Sequence, residues 1–214
     1  MIPLTDASRR PTHFPVATLA IVVANFVVFG AELAFGDQFV LRWSLVPAQI
    51  TSGQHLETIF TAMFMHAGWS HILGNMVFLW AFGPEVEDSM GSWRYLVFYF
   101  LGGVAAMATQ VAFDPHSTVP NLGASGAIAA VMGAFLATFP NDRIRTVLVI
   151  AIFVRIAYVP AILFIGLWFV LQIWNAGQIA PHESNGVAYL AHVGGMIFGL
   201  VFARLFQRLR AIAT

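Results

Sequence analysis

Apolar residues run along this chain in long blocks, broken by short polar clusters. About 20 apolar residues cross a bilayer as a helix. Stretches near that length fall at 15–35, 67–83, 93–113, 125–139, 158–177 and 187–207. They predict a polytopic, all-α membrane protein with six transmembrane helices in one bundle. Between the first two runs lies 36–66, with Pro47, Gly53 and no clear span. Its Phe39, Leu41, Trp43 and Leu45 suit a segment lying in the interface. Residues 144–157 are apolar but interrupted by Arg155, and they are too short to cross and return. They read as the approach to the fifth span. Domain organisation is then a short cytoplasmic N-terminal segment, 1–14, and a six-helix domain over 15–208.

Composition strengthens the membrane reading. Of 214 residues, 59% are hydrophobic and 9% charged, against about 25% charged in a soluble domain. Formal net charge is zero, so nucleic acid is not an expected partner. The absence of cysteine excludes disulfides, thiolate metal sites and a cysteine nucleophile. Arg9 and Arg10 precede a first apolar run of about 22 residues, longer than the h-region of a signal peptide. A retained first span is expected. All ten basic residues are arginine. With the N-terminus inside, Arg9, Arg10, Arg94, Arg143, Arg145, Arg204, Arg208 and Arg210 gather on the inner face. Arg42 alone stands outside, with Arg155 ambiguous. That is a positive-inside pattern. It puts both termini in the cytoplasm and suits a bacterial inner membrane.

Polar side chains inside a span are costly and mark functional positions. Three groups stand out: His66 with His71 and Asn75, Gly123-Ala124-Ser125-Gly126, and Ala191-His192-Val193-Gly194-Gly195. In the six-span topology they open spans two, four and six, which all enter from the outer side, so the three groups share a depth. The span from Ser125 to Phe139 is about 22 Å long at 1.5 Å per residue, shorter than the ~30 Å hydrocarbon core. Ser125 therefore lies below the outer surface, and the loop over 114–124 must dip in to reach it. Irregular backbone is tolerated there only against protein or in a water-filled cavity. Ser125, Ala129 and Gly133 form one small-residue stripe, and His192, Gly195, Gly199 and Ala203 another. Close packing of the two would bring Ser125 and His192 within hydrogen-bond reach.

A serine, a histidine and convergent donors are the parts of acyl transfer. Ser125 would be the nucleophile, opening a helix whose free N–H groups favour an anion. His192 would be the base and must be neutral to act. His71 and Asn75, four residues apart, share a helix face and can both donate to an oxyanion. His66 stands at the mouth of this group. No Asp or Glu is expected at matching depth, so a Ser–His dyad is expected and not a triad. Each feature also has a plainer reading. Ser125 could be an N-cap, His192 an interhelical hydrogen bond, and the stripes packing alone. A cation held by the histidines is the other alternative, but HExxH and a carboxylate at that depth are both missing. No metal and no cofactor are expected.

The same residues resemble the rhomboid family of intramembrane serine proteases. His66, His71 and Asn75 look like its H-x4-H-x3-N signature, Gly123-Ala124-Ser125-Gly126 its GxSG motif, and Ala191-His192 with Gly195 and Gly199 its AH-x2-G-x3-G motif. Glu87 with Gly91 resembles its E-x3-G. The resemblance covers about 58–205. It implies Ser125 as nucleophile and His192 as base. Oxyanion contacts fall to the Ser125 N–H, His71 and Asn75, with Gly123 and His66 in the same oxyanion and substrate-binding set. Implied partners are transmembrane protein substrates, entering laterally near spans two and five under a loop at about 178–187, and membrane lipids. Two positions depart from the family. Ala129 stands where many members have an aromatic stacked on the histidine, so another group must orient His192. Arg42-Trp43 reverses the family's Trp-Arg order. The competing class is a catalytically silent scaffold that binds transmembrane helices without cutting them. Such relatives are expected to lack the serine or the histidine.

Overall fold

The computed structural model describes residues 1–150, 153–178 and 188–207. Apolar runs in a bilayer fold as helices because a helix satisfies its backbone N–H and C=O groups internally. In chain order the elements are β1 (Ile2–Asp6), α1 (Val16–Phe35), α2 (Asp37–Trp43), α3 (Pro47–Thr51) and α4 (Thr58–Thr61). A 3-10 turn at Ala62–Phe64 follows, then α5 (Trp69–Met90), α6 (Ser92–Phe113) and α7 (Ser125–Thr138). The chain continues through β2 (Arg143–Ile150), β3 (Phe153–Pro160), α8 (Ala161–Ala176) and α9 (Tyr189–Phe206). Among the described residues α1, α6 and α9 are long and apolar enough to cross a membrane, and α7 and α8 are shorter apolar helices. The expected runs thus fold as helices, most with ends shifted by a few residues. The largest shift is in α5, which continues to Met90 with Pro84 inside it and carries Glu85, Glu87 and Asp88 on its last turns.

The core is built around α7, which is buried without interruption from Gly126 to Phe135. A helix apolar on every face belongs inside a bundle. Its tightest neighbour is α9. A Cβ on Gly195 would collide with the Gly126 carbonyl oxygen, and one on Gly199 with that of Ala130. In lipid, helices gain no hydrophobic drive to associate, so close backbone approach and its dispersion hold them together. Polar capping ties α1 to α5. The Glu87 carboxylate accepts from the Ala17 N–H at 2.9 Å, the Thr18 N–H at 2.8 Å and the Thr18 hydroxyl at 2.8 Å. It also accepts from the Ser92 hydroxyl at 2.6 Å. One acid therefore satisfies orphan N–H groups of the first turn of α1, at the positive end of its dipole.

The all-α expectation fails at the end of the molecule remote from Ser125. There β1, β2 and β3 form an antiparallel sheet in that order. β2 and β3 are a hairpin, with Arg143 opposite Pro160 and Val149 opposite Val154, and Ile2 of β1 pairs with Val147. Residues 144–150 and 153–157 are therefore strands, and the approach to span five is made by β3. The stretch is rich in Val and Ile, which suit a pleated surface. A hairpin also satisfies the backbone of a segment too short for two crossing helices. β1 lies within segment 1–14 and makes that segment part of the sheet. The Arg9 guanidinium pairs with Asp142 beside it and holds that carboxyl below its usual range. Burial pushes the Asp6 carboxyl up to about 6.

Segment 36–66 folds as three short helices and the 3-10 turn, with no crossing helix. Leu45 and Asn121 exchange backbone hydrogen bonds at 2.9 and 2.7 Å, which docks the loop before α7 onto this segment. Arg42 stacks over the Trp43 ring at 4.8 Å and pairs with Glu57 at 3.1 Å.

Candidate active site

α7 is about 21 Å long for its 14 residues, shorter than a ~30 Å hydrocarbon core, and its first residue is half-buried. That residue is Ser125. The chain reaches it through Gly123, whose φ of +124° is left-handed territory. The Gly123 N–H bonds the Ala62 carbonyl at 2.8 Å. A Cβ at this position would stand 2.8 Å from Nε2 of His71 and 3.6 Å from Nδ2 of Asn75. Glycine is thus required twice over, by conformation and by space. It brings the Ser125 turn directly against two side chains of α5.

His192 lies on the first turn of α9. The α7–α9 contact sets its ring beside the serine, and Ser125 Oγ and His192 Nε2 are 2.7 Å apart. The other ring nitrogen, Nδ1, is 2.7 Å from Oε1 of Gln172 on α8. An amide oxygen only accepts, so Nδ1 carries the hydrogen and Nε2 is free to accept from the serine hydroxyl. The Trp168 ring lies 5.6 Å from the imidazole at a tilt of 36°, and Tyr189 meets it edge-on at 6.3 Å. These are the groups that hold His192 where Ala129 offers only a methyl.

The donors form a second cluster. His66 Nδ1–H bonds the Phe64 carbonyl at 3.1 Å, so Nε2 of His66 is the acceptor for Asn75 Nδ2 at 3.0 Å. One amide hydrogen of Asn75 is thereby fixed, and the same Nδ2 carries a second hydrogen on the Gly123 side of the cluster. His71 Nδ1 accepts from the Ala67 N–H at 3.4 Å, so its proton sits on Nε2. Beside Gly123 and Ser125 the structure therefore collects His71 Nε2–H, an Asn75 N–H and the first-turn N–H of Ser125. Such first-turn groups lack helical partners. His66 is not at a mouth. It is 2% exposed and acts as a strut behind Asn75, with its rings edge-on to His71 at 5.1 Å.

Two residues escaped the sequence reading. Glu32 of α1 does lie at this depth, and its carboxylate accepts the His66 N–H at 2.9 Å. Gln172 carries no motif. Its signal is an amide within an apolar run, four residues after Trp168, a costly placement in lipid. The expected cover loop at about 178–187 lies outside the described residues from 179 onward.

A family model described as the Rhomboid domain matches residues 53–209. Rhomboid protein 1, mitochondrial, of Saccharomyces cerevisiae is 26% identical over 94% of this chain and 55% of its own length. RHOMBOID-like protein 12, mitochondrial, of Arabidopsis thaliana is 30% identical over 87% of the chain and 57% of its own. Rhomboid protease GlpG of Salmonella paratyphi A is 28% identical over 92% and 65%. The chain thus spans somewhat more than half the length of these curated relatives. Two of the three are mitochondrial, so the comparison does not support the bacterial inner membrane expected from the arginine pattern.

Proposed function

The chain belongs to the rhomboid family, and from that premise we propose that it is an intramembrane serine endopeptidase cutting within or beside transmembrane segments of other membrane proteins. The observation that carries this reading is the 2.7 Å contact between Ser125 Oγ and His192 Nε2. Ser125 gives its proton to His192 Nε2 as Oγ attacks the scissile carbonyl carbon. The oxyanion takes hydrogen bonds from the Ser125 N–H, His71 Nε2–H and Asn75 Nδ2–H. The imidazolium then protonates the leaving nitrogen, which departs and leaves an acyl-serine. Water then gives a proton to His192 and its hydroxyl to the acyl carbon; the bond from that carbon to Oγ breaks, the imidazolium returns the proton to Oγ, and the acid is released with Ser125 and neutral His192 restored.

The reading takes α1, α5, α6, α7, α8 and α9 as six spans, with both termini on the arginine-rich face and Ser125 near the opposite one. A substrate helix must unwind locally, because helical carbonyls are already hydrogen-bonded. Purified protein in liposomes, a fluorophosphonate probe and a model transmembrane substrate test it. Labelling and cleavage are expected in wild type and lost in Ser125→Ala and His192→Ala. Cleavage that survives Ser125→Ala overturns the mechanism. Neither labelling nor cleavage across several substrates and lipids leaves the helix-binding scaffold as the better reading.

A further inference from the structure

His192 can take a proton from Ser125 only while Nε2 is bare, which requires the hydrogen on Nδ1. Neither α7 nor α9 is seen to supply an acceptor for that hydrogen; one turn beyond Ser125 stands Ala129. α8 supplies it. Gln172 is 8% exposed, and its Oε1 lies 2.7 Å from His192 Nδ1. The other end of the amide donates from Nε2 to the Trp168 carbonyl, one turn back on the same helix, at 3.3 Å. Flipping the amide would set an oxygen against that carbonyl and an NH₂ against Nδ1–H, losing both bonds. The amide is thus keyed at both ends. Trp168 covers a face of the imidazole from the same helix.

We propose that Gln172 is the positioning residue of this site, locking His192 in the Nδ1–H tautomer and aiming Nε2 at Ser125. It occupies the role that a carboxylate plays in a triad without burying a charge, which a membrane interior penalises heavily. Gln172 touches neither substrate nor the attacking oxygen and acts through the imidazole alone. The inference rests on the Ser125–His192 reading above. It makes one demand that simple packing of α8 against α9 does not: the tautomer depends on residue 172.

The test uses the full chain in lipid nanodiscs, with 15N-labelled histidine and steady-state cleavage of a model transmembrane substrate. The His192 signals are identified by their loss in His192→Ala. Wild type is expected to show His192 protonated at Nδ1. Gln172→Leu is expected to lose that preference and to drop kcat about 10–100-fold with little change in KM. Gln172→Glu keeps an acceptor oxygen in either protonation state and is expected to restore most of kcat and the Nδ1–H signal. A wild-type His192 protonated at Nε2 overturns the proposal without any variant. So does a folded Gln172→Leu with wild-type kcat, or a folded Gln172→Glu as impaired as the leucine variant. Ser125→Ala in the same assay separates the two levels. If it still cleaves, the dyad reading fails, while the tautomer signal still reports on Gln172.

Discussion

Residue 195 has no side chain because the Gly126 carbonyl occupies the place where a Cβ would stand. Gly195→Val is expected to push α9 off α7, lower the unfolding temperature in detergent and abolish cleavage; overpacking of this kind costs about 1–3 kcal/mol. The lipid-facing Leu205→Val should leave both unchanged. At the donor cluster, Asn75→Ala is expected to lower kcat about 10²–10³-fold with KM nearly constant. A rise in KM alone would assign Asn75 to substrate binding instead. Cleavage should rise with pH as His192 loses its proton, because only the neutral imidazole is a base. A flat rate while His192 titrates, followed by NMR, would remove it from that role. Ser125, His192, His71 and Asn75 were legible in the sequence because each is polar within an apolar run and falls at one end of its run. Glu32 and Gln172 meet the same polarity criterion. Their partners depend on how α1 and α8 pack, which linear spacing does not fix.

Glu87 shows how far a motif reads at the scale of elements. The sequence marks it with Gly91, but its role as the cap of α1 exists only once α1 lies against the end of α5. Glu87→Ala is expected to cost about 1–3 kcal/mol through unsatisfied donors, with Glu87→Gln recovering part of it by thermal unfolding. The sheet was not legible, since a short apolar run has no period that separates strand from helix, and nothing local announces that β1 pairs with β2. Its buried acid gives a pH test. Asp6 titrates at about 6 in the fold against an ordinary 3.8. The folded state therefore binds the proton more tightly, and attachment of β1 weakens as pH rises through that interval. Asp6→Asn should match wild type near about pH 4 and exceed it in thermal stability near about pH 7. An advantage that shrinks with rising pH would show that the Arg9 and Ser8 contacts dominate over burial.

For the whole molecule, the absence of cysteine makes orientation directly measurable. Gln54 and Ala7 are exposed at opposite ends of the bundle. Single cysteines there are expected to react with an impermeant maleimide from opposite sides of right-side-out and inverted vesicles. Labelling of both from one side would break the proposed topology. One geometric fact has a wider reach. The imidazole of His192 is strung between two helices, with α7 at Nε2 and α8 at Nδ1. α7 is enclosed, whereas α8 presents Leu163, Leu167, Val170 and Trp174 outward. The ring is therefore a tie-rod between a fixed post and a post that leans on lipid. Lateral tension, a thinner bilayer or a molecule wedged beside α8 loads that rod directly. Such influences would change the speed of proton transfer itself, even for a substrate already in place.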